Sequence, residues 1–204
     1  MWPWRVGPKS AHGLVYRLFL AVDVEKYSRL DAQRQLTAQN DLRCLIDESA
    51  HRTGLGTNGW YRQGAGDGEL VAFPANTDIL RTVGAFTRAL ETGLAGLNRR
   101  RPRESRLRLR LALHHGTMIS GPLGPAGDAP IVVCRLLDAA PLRDYLTEHP
   151  DRDLALAVSE SLYDDVIRTG FCVLAPDTFI QLEVEIKQVR YRGYIHHETG
   201  TRHN

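Results

Sequence analysis

The sequence predicts an α+β domain in which helices pack on a mixed β-sheet. Three observations point there. Short apolar runs alternate with amphipathic stretches at helical spacing, hairpin signals interrupt that alternation, and no internal repeat is present. A chain of 204 residues suits one domain, and it buries enough apolar surface to need no disulfide or metal staple.

Residues 1–13, with two prolines and two glycines, read as an N-terminal arm, residues 14–197 as the domain and 198–204 as a tail. The run LVYRLFLAV at 14–22 is nearly all apolar, as expected of a strand covered on both faces, and it ends at Asp23. Ser28 and Asp31 have the spacing of a capping box. The helix expected after them carries Leu42, Leu45, Ile46 and Ala50 on one face and stops at Thr53-Gly54. Residues 59–63 and 69–73 flank the turn Gly64-Ala65-Gly66-Asp67-Gly68, a hairpin signal. A second helix is expected over 77–97, with Ile79, Val83, Phe86, Leu90 and Leu94 at helical spacing. RLRLRLAL at 106–113 alternates strictly, the pattern of a strand with one buried face. After a glycine-rich stretch at 116–127, a third helix is expected over 131–147 and a buried strand at 154–158. Ser159 then caps a short helix to about 168, and 178–195 closes the domain as a hairpin. The helices are expected to cover one face of the sheet.

Composition narrows the function. With 26 basic and 24 acidic side chains the net charge is +2, too balanced for a dedicated nucleic-acid binder. The cluster Arg99, Arg100, Arg101, Arg103, Arg106, Arg108 and Arg110 reads as a solvated loop running into a strand with a polar face. Cys44, Cys134 and Cys172 lack metal-ligand spacing and read as buried free thiols in a reducing cytosol. The longest apolar run is broken by Arg17 and falls short of the ~20 residues a membrane span needs. The N-terminus lacks the apolar core of a signal peptide. A cytoplasmic protein with no membrane or nucleic-acid partner is expected.

Two carboxylates carry the chemistry. Asp23 ends the first strand and Asp67 sits in the hairpin turn. Brought together, they would offer oxygen ligands to hard divalent cations, and two such ions can activate a hydroxyl and neutralise a triphosphate. The alternative at each position is ordinary: Asp23 caps a helix and Asp67 fills a turn.

Taken together, the segments resemble the class III nucleotidyl cyclases, the adenylate and guanylate cyclase family. Phe19-Leu-Ala-Val-Asp23-Val24-Glu-Lys-Tyr27-Ser28 is similar to the family strand that ends in the first metal aspartate. Gly66-Asp67-Gly68-Glu69-Leu70-Val71-Ala72-Phe73 is similar to the hairpin with the second. Leu111-Ala-Leu-His114-His115-Gly116 and Gly127-Asp128-Ala-Pro-Ile131-Val-Val-Cys-Arg135-Leu136 follow in the family order. Ala157-Val158-Ser159-Glu160 and the stretch from Ile186-Lys187 to Ile195 complete it. The resemblance implies a ferredoxin-like mixed sheet with packed helices and a homodimer whose active sites lie between the subunits. It also implies two Mg²⁺ or Mn²⁺ ions on Asp23, Asp67 and the Val24 carbonyl. Arg135 would stabilise charge developing at the α-phosphate, and Lys187 would meet the outer phosphates. Backbone amides from Glu25 to Ser28, around Tyr27 and opening onto a helix, would take phosphate oxygens.

Three positions depart from the family pattern. The asparagine that orients the ribose is Ile131, and the two base-selecting positions are Gln63 and Gly124, so neither purine signature is present. Glutamine both donates and accepts hydrogen bonds and suits a pyrimidine edge as well as a purine one. That pattern is similar to the pyrimidine cyclases of bacterial anti-phage defence (the Pycsar type), which make cyclic UMP or cyclic CMP for a separate effector. The alternative is a pseudo-cyclase, a nucleotide-binding or dimerising module without chemistry, which Ile131 motivates.

Overall fold

β1 (Val15–Val24) organises the molecule, because every residue from Leu18 to Val24 is buried. In the computed structural model, which describes residues 13–197, it lies between β3 (Gly68–Ala72) and β4 (Leu109–Gly121). The expected arm before Gly13, with Trp2 and Trp4, and the 198–204 tail lie outside the described residues. The other strands are β2 (Tyr61–Gly64), β5 (Gly124–Ala126), β6 (Leu154–Ser159), β7 (Phe179–Ile186) and β8 (Val189–His196). Their order is β2-β3-β1-β4-β6-β8-β7, with β5 folded back on the far half of β4. β4 and β6 run parallel and all other neighbours antiparallel, so the sheet is mixed as expected.

Helices cover both faces of the sheet, not one. α1 (Ala32–Arg52) and α3 (Thr87–Asn98) bury Leu20, Val22, Leu111, Leu113, Leu156 and Val158. α4 (Asp128–Leu137) and α5 (Ala140–Glu148) bury Phe19, Ala21, Ala112, Ala155 and Ala157 on the opposite face. The sequence hides this because the arginines of 106–110 mark only the first part of β4 as two-sided. Beyond them, Ala112 is as buried as Leu111 and Leu113.

Local chemistry accounts for the other differences. Asp31 alone caps α1, accepting from the Arg34 amide at 2.8 Å, while Ser28 falls in a 3₁₀ turn at Tyr27–Arg29. The expected third helix starts earlier, at Asp128, and splits at Asp138-Ala139. Pro141 then opens α5, where a missing amide donor costs nothing. The second helix runs from α2 (Ile79–Arg81) through a wide π-type turn at Thr82–Phe86 into α3. Ser159 accepts from the Leu162 amide and caps α6 (Glu160–Leu162), as its sequence position indicates. Buried Asn98 both donates to and accepts from the Leu107 backbone, tying the end of α3 to the arginine-rich segment. There Arg101 pairs with Asp41 and Arg108 with Glu25, both at 2.8 Å, so part of this cluster is structural and not merely solvated. The expectation of buried thiols is corrected at Cys44, which is exposed on α1, and at Cys134, which is half-buried.

Gly68 is where β3 meets β1 most closely: a Cβ there would lie 1.9 Å from the Val22 carbonyl oxygen. Gly64, four residues earlier in the same hairpin, has open space around it. Gly68→Ala is therefore expected to lower the unfolding free energy by about 2 kcal/mol in a urea titration. Gly64→Ala should stay within about 0.5 kcal/mol of wild type, and equal losses from the two would contradict this packing.

Candidate active site

The strand end and the hairpin turn meet through the backbone. The Val24 amide donates to the Asp67 carbonyl at 2.9 Å, but the Asp67 amide turns back to Ala65. The Asp67 amide, which a continued ladder would give to the Val24 carbonyl, is thus turned away from it. Gln39 of α1 holds this corner from outside, its Nε2 reaching the Tyr27 hydroxyl and the Gly66 carbonyl at 2.7 Å each.

Asp23 is buried and is held by Arg110, its register partner on β4. The guanidinium grips both carboxylate oxygens, Nε at 2.8 Å and a terminal nitrogen at 2.5 Å. Burial pushes the Asp23 carboxyl above its ordinary range. The Arg110 bonds pull it back, and the charges of Asp67 and Asp138 push it up again. Asp23 therefore feels the charges of two other carboxylates at this end of the sheet.

This donor set fits a divalent cation of the magnesium kind. Among the described residues no three His, Cys, Asp or Glu side chains form a ready-made cage. Magnesium does not need one. It binds through one or two carboxylates and fills its shell with water and substrate phosphate oxygens. Asp23, Asp67 and the Val24 carbonyl supply that kind of partial shell, with all-oxygen ligands.

The remaining candidates divide into two groups. Tyr27 and Ser28 stand beside the aspartates, but the turn opens onto a 3₁₀ turn, not onto α1, whose N-terminus is filled by Asp31. The Glu25 amide is spent on the Arg108 carbonyl, which leaves those of Lys26, Tyr27 and Ser28 as donors. Gln63 and Gly124 come together as a pair, a Cβ at 124 lying 3.1 Å from Gln63 Oε1. Ile131 and Arg135 stand one turn apart on α4, Ile131 exposed at 49% and Arg135 half-buried. Lys187 is exposed at the tip of the β7–β8 hairpin, in a two-residue turn with positive φ at both positions. Among the described residues no ion pair or hydrogen bond joins Arg135 or Lys187 to either aspartate. A 560 Å³ cavity between α1 and the 101–108 segment touches this corner at Val24, Glu25 and Lys26.

Sequence reasoning missed Arg110, Gln39, Tyr61 and Asp138. Arg110 was visible only as one arginine of a cluster; its alternation with Leu109 and Leu111 was the available sign that it faces away from them. Gln39 had no sign at all.

His114 lies behind this site, its Nδ1 at 2.8 Å from the Ser159 hydroxyl. Burial, helped by neighbouring His115, lowers it to about 4. An imidazole so depressed is neutral when folded, so its contribution to stability is complete above the ordinary value near 6.5. It is lost as pH falls from there toward 4, by up to about 3 kcal/mol. Asp23, with its raised value, works in the opposite sense and gains stability on protonation. In an NMR titration His114 should change charge near pH 4, and His114→Gln should flatten the loss of stability between pH 6.5 and 4.

No protein-family model matches the sequence, and no curated protein matches it. Solved structures do match. An adenylate/guanylate cyclase/hydrolase from Silicibacter pomeroyi superposes with a TM-score of 0.67 at 19% identity, over 92% of this chain and 99% of that one. The guanylyl cyclase Cya2 gives 0.62 at 15% identity, over 95% and 97%. The guanylate cyclase domain of RhGC from Catenaria anguillulae, solved in complex with GTP, gives 0.58 at 15% identity, over 90% and 97%. The described chain therefore has the fold of the class III nucleotidyl cyclase catalytic domains.

Proposed function

We propose that this protein is a nucleotidyl cyclase that converts a nucleoside triphosphate, UTP or CTP in preference to ATP or GTP, to a 3′,5′-cyclic nucleotide and pyrophosphate. Its product would serve as a second messenger for a separate cyclic-nucleotide-sensing effector, in the manner of anti-phage signalling. The observation that carries the reading is the meeting of Asp23 and Asp67 beside the Val24 carbonyl. Asp23 also answers the Arg110 charge, so what points to a metal is the second carboxylate, Asp67, placed beside it at the Val24 carbonyl.

Two Mg²⁺ or Mn²⁺ ions, when bound there, supply Lewis acidity at the ribose 3′-hydroxyl and offset the charge of the triphosphate. The chain's own groups do the rest. The amides of Lys26, Tyr27 and Ser28 offer donors to phosphate oxygens. Arg135 and Lys187 come from a second copy. Each has no ion-pair partner among the described residues, and each sits on a surface with exposed apolar side chains. Leu123 is 92% exposed, Val189 51% and Ile131 49%, spread over the β4–β5 hairpin, the β7–β8 hairpin and α4. A two-fold dimer would make two equivalent sites. One structural neighbour, the guanylyl cyclase domain of the RhoGC fusion protein from Blastocladiella emersonii, is described as a non-canonical dimer.

Ile131 favours a second reading, a pseudo-cyclase that binds nucleotide or dimerises without turnover, because an exposed isoleucine offers the ribose no hydrogen bond. The two readings separate in one experiment: incubation with Mn²⁺ and each of ATP, GTP, CTP and UTP, with mass detection of cyclic products. A cyclic pyrimidine nucleotide is expected, and Asp67→Ala should abolish it. No product from any nucleotide, with protein folded and dimeric, selects the pseudo-cyclase.

The shared site makes a further prediction. Asp67→Ala and Arg135→Ala should each be inactive alone. Mixed in equal amounts and allowed to exchange, they should recover about a quarter of wild-type activity. Half the dimers are then mixed, and each of those holds one intact site of two. No recovery on mixing would place Asp67 and Arg135 in the same subunit's site.

A further inference from the structure

The geometry points to Tyr61 as a specificity-determining residue that, with Gln63, selects a base whose edge carries a carbonyl next to a ring N–H. This inference rests on the nucleotide-binding reading above. Uracil and guanine present that edge; cytosine and adenine present the reverse, an amino group next to a bare ring nitrogen.

Tyr61 and Gln63 are two residues apart on β2, so their side chains stand on the same face of the sheet. Their strand partners Ala72 and Leu70 place that face on the α4 side. The Tyr61 hydroxyl donates to Gln63 Oε1 at 3.2 Å. Across from them, Gly124 opens β5 with φ at 123°, a conformation that favours glycine. A Cβ at 124 would lie 2.5 Å from the Tyr61 hydroxyl. The phenol therefore stands where any side chain at position 124 would have to begin. Tyrosine at 61 and glycine at 124 are one feature. The polar group that might have come from β5 comes from β2 instead.

The bond also sets the chemistry. A free glutamine amide flips and reads either kind of edge. In the observed arrangement Oε1 accepts from the phenol, so Gln63 presents its NH₂ as the outward donor, and the phenol oxygen keeps its lone pairs as acceptors. A donor beside an acceptor complements a carbonyl beside a ring N–H. Against an amino group the Gln63 NH₂ would meet another donor, and two polar groups would be left unpaired. A small cavity of 170 Å³ lies alongside, lined by Tyr61 and Gly124 together with Arg17, Ala72, Met118 and Ser120.

The test uses nucleotides that cannot cyclise, so that binding is read without turnover. Wild-type protein should bind 3′-deoxy-UTP about tenfold or more tighter than 3′-deoxy-CTP. Tyr61→Phe, which keeps the ring and removes the donor, should reduce that ratio to about threefold or less. Gly124→Ala, whose Cβ displaces the hydroxyl, should reproduce the loss, with circular dichroism confirming that both variants fold. An unchanged ratio in Tyr61→Phe, a preference for 3′-deoxy-CTP or 3′-deoxy-ATP, or no binding of any analogue overturns the assignment. Tighter binding of 3′-deoxy-GTP than 3′-deoxy-UTP keeps the carbonyl edge and overturns the pyrimidine preference. If the binding preference holds but UTP yields no cyclic product, the cyclase reading fails and the base assignment stands.

Discussion

The buried pairing of Asp23 with Arg110 is the constraint on which the site depends. A carboxylate in the central strand of a covered sheet loses its water, a cost of several kcal/mol unless a charged partner replaces it. Arg110 is that partner because it lies directly opposite in the β1–β4 register, and it contacts both oxygens. The same register brings Leu20 against Leu113 and Val22 against Leu111. A slip of one residue would turn the whole apolar set to the wrong face and would part the ion pair as well. Core packing and placement of the acidic group are thus one decision, enforced by the hydrophobic effect. Breaking the pair from one side would leave a largely buried charge uncompensated.

The two faces of the sheet divide the labour. One is packed with long aliphatic side chains against α1 and α3: Leu20, Val22, Leu90, Leu94, Leu109, Leu111 and Leu113. It carries stability and little else. On the other face Ala21, Ala72, Ala112, Ala155 and Ala157 let α4 and α5 lie close, with Phe19, Met118, Leu182 and Ile195 as the larger buried strand residues. Asp23, Arg110, His114, Tyr61 and Gln63 all belong to this second face by the two-residue alternation of their strands. Small residues under α4 bring its end near the strand end. Asp138, at the close of that helix, is accordingly within electrostatic reach of Asp23.

Most of the fold was legible because it is written in local periodicity. LVYRLFLAV could only be a strand buried on both sides, and the spacing of Leu42, Leu45 and Ile46 could only be one face of a helix. Asp23 and Asp67 were legible for a similar reason, each standing at a boundary its neighbours define. What stayed hidden depends on residues distant in sequence. Arg110 answers a charge 87 positions away, and Gln39 joins two turns on either side of it. The glycine-rich 116–127 stretch concealed a strand because β4 is held there by pairing with β1 and β5, not by its own propensity. The break between α4 and α5 was local and could have been read: Pro141 cannot sit in a helix interior without losing a hydrogen bond.

Position 124 shows why a departure from a family pattern has to be weighed with its surroundings. Read alone, glycine in place of a base-contacting side chain is a deletion, and a deletion at a selecting position argues for decay. In three dimensions the space is filled by Tyr61, and the glycine is required to admit it. Ile131 is different: it stands exposed on α4, and its own side chain can make no hydrogen bond. The two departures therefore carry opposite weight. On the proposed reading the first is compensated inside the chain and would alter which base fits, while the second would leave the ribose to be positioned by other contacts, among them the amides offered to phosphate oxygens at the end of β1.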